Sequence, residues 1–177
     1  ARRQLTDDRM VDQPAPAVRF REGVPTDAPR IAEYYHRCWL TASAPSLEPG
    51  AAERLEASMW LDLFHGRLTS DGSMRTVVAT NRDMVVGHVQ VDGNLLVHLF
   101  VDPDHQGVGI GSRLLAIGEA LISEAGHTDA ELHTRVDNVR AIALYRSVGW
   151  HVTDRLIHSA HDGIEYDEQV LVKHLDR

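Results

Sequence analysis

The residues with the clearest chemical capacity fall in one run, Leu99-Phe-Val-Asp-Pro-Asp-His-Gln-Gly-Val-Gly-Ile-Gly-Ser-Arg-Leu-Leu115. An extended stretch ends at Pro103, glycines alternate at 107, 109 and 111, and an amphipathic helical pattern begins at once. Glycines at that spacing let backbone N–H groups approach an anion, because no Cβ stands in the way. A helix N-terminus adds unpaired donors and the positive end of a dipole. The chemistry on offer is the cradling of a phosphate or pyrophosphate. A Walker loop needs Gly-Lys-Ser/Thr, and this run has no lysine. A dinucleotide fingerprint needs G-x-G-x-x-G, and here the third glycine falls one residue early. Glycines alone serve equally well as a plain link between strand and helix; the strand–turn–helix setting favours the anion.

Positioning that turn requires a scaffold. Met74–Thr80, Met84–Asp92 and Leu95–Val101 are apolar, β-branched runs, separated by Asn81-Arg82-Asp83 and Asp92-Gly93-Asn94. Both separators are turn chemistry, so the pattern predicts an antiparallel meander. A helix follows from Gly109 to about Glu124, burying Leu114, Ile117, Leu121 and Ile122 and stopped by Gly126. Glu131–Arg135 reads as a strand. Asn138–Ser147 reads as a helix capped by Asn138, with Ala141, Leu144, Tyr145 and Val148 on its apolar stripe. Trp150–Ile157 and Ile164–Val172 form two closing strands. Upstream, Val18 to Arg21 is a short strand, and Thr26 or Asp27 caps a helix with Ile31, Tyr35 and Cys38 on one face. A second helix carries Ala52, Leu55, Met59 and Leu63 and ends at Gly66. Residues 1–16 are a tail, and 17–177 one mixed α/β (α+β) domain.

Composition narrows the function classes. The 177 residues hold 18 Lys plus Arg against 26 Asp plus Glu, a net charge of −8, with 43% apolar and 25% charged side chains. That balance describes one soluble domain of ordinary size, with no run of about 18 apolar residues for a membrane span. An acidic surface does not suit general nucleic-acid binding. Cys38 is the only cysteine, so no intramolecular disulfide forms. Ala1-Arg2-Arg3-Gln4 leads into no apolar run, so no secretory signal is read there and a cytoplasmic setting is expected. His158 and His161 flank a hairpin turn without carboxylate or cysteine companions, so no metal site is expected.

The motifs also carry a family resemblance. Gln106-Gly-Val-Gly-Ile-Gly111 resembles the Q/R-x-x-G-x-G/A motif of the GNAT superfamily of N-acetyltransferases, and Leu99-Phe-Val-Asp-Pro103 resembles its Leu-x-Val-x-Pro approach. Asn138-Val-Arg-Ala-Ile-Ala-Leu-Tyr-Arg-Ser-Val-Gly-Trp150 looks like its second signature. The likeness implies a mixed central sheet of about seven strands with about four flanking helices. It implies acetyl-CoA as co-substrate, its pyrophosphate on Gln106, Gly107, Val108, Gly109, Ile110, Gly111 and Ser112. The pantetheine arm would pair with Leu99, Phe100 and Val101, and an N–H near Leu99 would polarise the thioester carbonyl. Asn138 would lie near the same arm. Tyr145 matches the residue that protonates the departing thiolate, and a phenol of pKa about 10 can donate to a thiolate whose acid lies near 8.5. Its place on the apolar stripe favours a core residue on spacing alone, and the motif reverses that reading.

The resemblance implies an amine acceptor, on a small molecule or a peptide, held by the first two helices, their Ser43–Pro49 loop and the last hairpin. Here those supply Tyr35, Trp39, Trp60 and Asp162 to Glu168. An acidic protein would steer a cationic acceptor towards it. Some relatives carry a glutamate base on the fourth strand, where this chain has Leu95. His98 is the nearest titratable group, on the opposite face from Leu95 unless a bulge intervenes, and His88, Asp92 or a water chain are alternatives. The missing glutamate leaves two further readings: a non-catalytic acyl-CoA sensor, or acyl transfer to a hydroxyl or thiol. Homodimers are frequent in the superfamily, and no feature of this sequence decides for one.

Overall fold

The computed structural model describes residues 18–43, 57–70, 72–161 and 164–175. The chain runs β1 (Arg19–Glu22), α1 (Ala28–Ser43), α2 (Ser58–Thr69), β2 (Met74–Asn81), β3 (Met84–Asp92), β4 (Leu95–Val101), α3 (Ile110–Glu124), β5 (Asp129–Arg135), α4 (Val139–Ser147), β6 (His151–His161) and β7 (Ile164–His174). The expected meander occupies its expected residues. Arg82 and Asp83 both take positive φ (47° and 67°) to join β2 to β3, and Gly93 (57°) turns β3 into β4.

Seven strands form one sheet in the order β1-β2-β3-β4-β5-β7-β6. Every neighbouring pair is antiparallel except β4 and β5, which run parallel. The sheet is covered on both faces. On one, Leu114, Leu115, Leu121 and Ile122 of α3 pack on Val89, Val91 and Leu96. On the other, Ile31, Tyr34 and Tyr35 of α1 meet Phe64 of α2 and Val78 and Val85 of the sheet. This double cover makes β3 buried along nearly its whole length, as a near-continuous apolar run demands. The approach of α3 is close enough that a Cβ on Gly118 would stand 2.9 Å from Val89 Cγ2 and 3.1 Å from Leu96 Cδ1.

Several local expectations are corrected. Asp27 does not cap α1; it lies in a 3-10 turn, Pro25–Asp27, where its carboxylate accepts the Val24 N–H at 2.9 Å and pairs with Arg21 at 2.7 Å. Gly66 does not end α2, which continues to Thr69 because the Thr69 hydroxyl ties back to the His65 and Gly66 carbonyls. Ala52 and Leu55 lie outside the described residues. Val148 is 38% exposed, so the α4 stripe shortens to Ala141, Leu144 and Tyr145. Trp150 precedes β6 and anchors under α3, donating Nε1–H to Glu119 at 2.7 Å.

One irregularity organises the centre of the sheet. Gln90 faces His98 while Val91 faces Leu96, so Val97 is an extra, bulged residue in β4. Leu96 and Leu99 therefore share the α3 face, and His98 and Phe100 turn to α1 and α2.

Filling the α3–sheet contact tests this packing. Gly118→Val should destabilise by about 1–3 kcal/mol through overpacking, read as a lower urea midpoint with unchanged far-UV circular dichroism. An unchanged midpoint would mean that the helix rides clear of β3.

Candidate active site

Strands β4 and β5 are hydrogen-bonded neighbours only at Leu95–Glu131 and Leu96–Leu132. Beyond that the two strands diverge, and a cleft of about 230 Å³ opens between them. Its walls come from β4 (Val97 to Phe100), β5 (His133 to Arg135), α1, α4 and β7. The Asp102 N–H donates to Val86 of β3 at 2.9 Å. By alternation the N–H and C=O of Leu99 and the N–H of Val101 point away from β3, into the gap. Among the described residues, the site therefore presents main-chain donors and acceptors that no neighbouring strand takes up, at the middle of a sheet. Because Tyr145 belongs to the α3-side core and Tyr35 to the opposite one, the cleft is lined from both faces of the sheet.

At the end of β4, the Asp102 side chain accepts the Asp104 N–H at 3.1 Å and opens a 3-10 turn, Pro103–His105. The chain then enters α3 through Gly107 (φ 81°) and Gly109 (φ 86°), the latter being the helix N-cap. Both are left-handed positions that favour glycine, and a Cβ on either would meet nothing within 4 Å, so the turn faces open space. Gln106 donates its side-chain amide to the Val101 carbonyl at 3.0 Å, which locks the turn to β4. Asp102 is fully buried between Arg30 and Arg37 of α1, Arg37 at 2.6 Å. Arg37 also reaches Asp104 at 2.9 Å. One buried carboxylate thus holds α1 against the glycine turn.

Across the cleft, Asn138 caps α4 by accepting the Ala141 N–H at 3.2 Å, as its place in the sequence predicts. Two turns later Tyr145 lines the cleft at 7% exposure. Burial pushes its hydroxyl up to about 12, so it remains a proton donor throughout the neutral range.

The opposite wall comes from α1. Tyr35 and Trp39 line the cleft, and the Tyr35 ring stacks on His98 at 5.3 Å and 20°. His98 itself lines the cleft, because the Val97 bulge places it on the same face as Leu95. Behind it, Arg67 of α2 brings Nη1 to 3.1 Å from both ring nitrogens. Burial, the Arg67 charge and His88 hold His98 well below the ordinary histidine value, so its ring is uncharged.

Not every candidate reaches the cleft. His88 is fully buried beneath it, 2.7 Å from the Tyr34 hydroxyl, and burial drives its value down to about 3. Asp92 closes the far end of β3 and does not line the cleft. Trp60 is core, packed edge-on against Tyr35 at 5.0 Å. Residues 44–49 of the expected acceptor loop, with Asp162 and Gly163, lie outside the described residues. The hairpin does supply Tyr166 and Glu168 to the wall. Three β5 residues, His133, Thr134 and Arg135, line it without having been singled out. No motif marks them: they line the cleft because β5 runs on past Leu132 without β4 beside it.

Comparisons with known proteins agree with this architecture. A family model described as an acetyltransferase (GNAT) domain matches residues 43–166. The chain is 27% identical over 146 residues to the aminoglycoside N(6')-acetyltransferase type 1 of Stenotrophomonas maltophilia, spanning 81% of this chain and 93% of that protein. Over 48 residues it is 50% identical to the mycothiol acetyltransferase of Clavibacter sepedonicus, which is 27% of this chain and 16% of that longer protein. Its fold resembles that of the PaiA N-acetyltransferase of Thermoplasma acidophilum in complex with coenzyme A, with a TM-score of 0.72 at 17% identity, covering 89% of this chain and 99% of that one.

The fully buried, uncharged His88 imidazole has a consequence for acid stability. The unfolded chain takes up protons near pH ~6.5, whereas native His88 resists until about 3. Stability should therefore fall as pH drops from ~6.5 towards ~3, read as a declining urea midpoint. His88→Gln, which keeps a partner for Tyr34, should flatten that decline; an identical slope in the variant would place the acid-sensitive group elsewhere.

Proposed function

The chain belongs to the GNAT acetyltransferases, and from that premise we propose that it moves the acetyl group of acetyl-CoA to an amine of a small molecule or peptide by direct attack. The observation that carries this reading is the two-faced cleft, which has Tyr145 in one wall, His98 in the other and the unpaired Leu99 backbone between them. Its contents suit both substrates. The open, left-handed glycines from Gln106 to Ser112 suit a pyrophosphate. The free edge of β4 at Leu99, Phe100 and Val101 suits an extended pantetheine arm, with Asn138 beside it. A relative matched along most of its length is named an aminoglycoside N-acetyltransferase, which supports nitrogen as the acceptor atom.

In this reading the Leu99 N–H polarises the thioester carbonyl and stabilises the oxyanion as the amine nitrogen bonds to the carbonyl carbon. The carbon–sulfur bond then breaks, and the thiolate takes the Tyr145 hydroxyl proton. The proton lost by the acceptor nitrogen goes to His98, whose uncharged ring can accept it at neutral pH. Tyr35 and Trp39 hold the acceptor, their apolar surfaces excluding water from the reacting atoms.

Thiol release from acetyl-CoA across a panel of amines tests the activity; tight CoA binding without amine-dependent release would favour a sensor domain instead. Tyr145→Phe should lower kcat on the order of 10²-fold with little change in the KM for acetyl-CoA. An unchanged kcat would return Tyr145 to the core. Gly109→Glu combines a strained φ with a negative charge at the helix end, so CoA binding measured by calorimetry should be lost. Retained affinity would refute the cradle.

A further inference from the structure

Arg67 is a cation in an unusual setting. It is half-buried at the back of the cleft wall, yet among the described residues no carboxylate lies within ion-pairing distance of it. Its Nη1 donates to Gln90 Oε1 at 3.0 Å and lies 3.1 Å from each His98 ring nitrogen, only one of which can accept from it in the uncharged ring. Gln90 is fully buried and donates its own amide to the Thr76 hydroxyl at 2.9 Å, which aims Oε1 at Arg67. The guanidinium is thus fixed from the sheet side and pressed against His98, equidistant from both nitrogens. That position opposes a second proton on the ring in either tautomer.

The rest of the His98 surroundings leaves this charge uncompensated. From α1 comes the uncharged Tyr35, stacked on the ring, and from α2 the Phe64 ring at 5.7 Å. From β3 comes His88 at 5.8 Å, itself uncharged. Across the cleft, His133 is hydrogen-bonded to Glu131 and Arg135 to Asp137. Tyr166 lies under Arg135, and the Glu168 carboxylate accepts the Ser159 hydroxyl.

We propose that Arg67 is a positioning residue for acetyl transfer, its charge adding to burial in keeping His98 an uncharged ring at the cleft wall. This rests on the reading of His98 as the group that takes the acceptor's proton. The arrangement broadens the working range on the acid side, because the proton acceptor stays empty where an ordinary histidine would already be filled. It also gives α2 a task in the reaction, although among the described residues no α2 side chain lines the cleft.

The test pairs a titration with kinetics. Histidine-labelled protein is titrated by NMR to follow His98, and kcat/KM for the amine is measured against pH in Arg67→Met, Arg67→Gln and Arg67→Lys. Arg67→Met, or Arg67→Gln if the first does not fold, should raise the His98 titration by about one pH unit or more and move the acid limb of kcat/KM up equally. Arg67→Lys should keep both low. A His98 titration unmoved by loss of the charge overturns the proposal. So does a His98 titration that rises while the acid limb stays in place, since His98 would then lie off the proton path; thiol release in the unaltered protein would still uphold acetyl transfer.

Discussion

The structure turns on a parallel strand pair that comes apart after two residue pairs. Main-chain N–H and C=O groups at the centre of a sheet are ordinarily satisfied by the neighbouring strand, and leaving them unpaired costs about 1–3 kcal/mol each when water is excluded. Here β4 keeps its bonds to β3 while its other edge, from Val97 onward, faces a cleft. What compensates is external to the pair. The Val97 bulge bends β4, Gln106 satisfies the Val101 carbonyl, and Asp102 is bound by Arg30 and Arg37. Breaking the Asp102 contacts would leave a fully buried carboxylate without partners, which is why this junction holds its shape.

Binding and positioning are distributed unevenly over the two faces. The α3 and α4 side offers the glycine turn, a helix end and the Tyr145 hydroxyl. The α1 and α2 face offers aromatic surface and an imidazole with a cation behind it. A net charge of −8 is therefore no obstacle to an anionic ligand, since the groups that would receive it are not counted among Lys and Arg.

Much of this was legible from local residue patterns. The β2–β3–β4 meander, the Asn138 cap and the turn from Gln106 to Ser112 are each written by a few neighbouring residues, and the structure places them accordingly. The cleft was not legible in the same way. A bulge depends on how two strands register, so neither the face of His98 nor the wall formed by His133, Thr134 and Arg135 could be read from one strand. Arg67 illustrates the same limit: an arginine in the last turn of a helix reads as a solvated residue, and its neighbours Gln90 and His98 come from two strands folded later in the chain. Gly66 misled for a simpler reason, since the Thr69 side chain closes the next turn regardless.

A slot lined from both faces of a sheet also separates the surfaces that two molecules would touch. Under the proposed transfer the donor would lie against the α4 wall and the acceptor against the α1 wall, meeting at the backbone of β4. A substitution in one wall would then alter the hold on one partner and leave the contacts of the other in place.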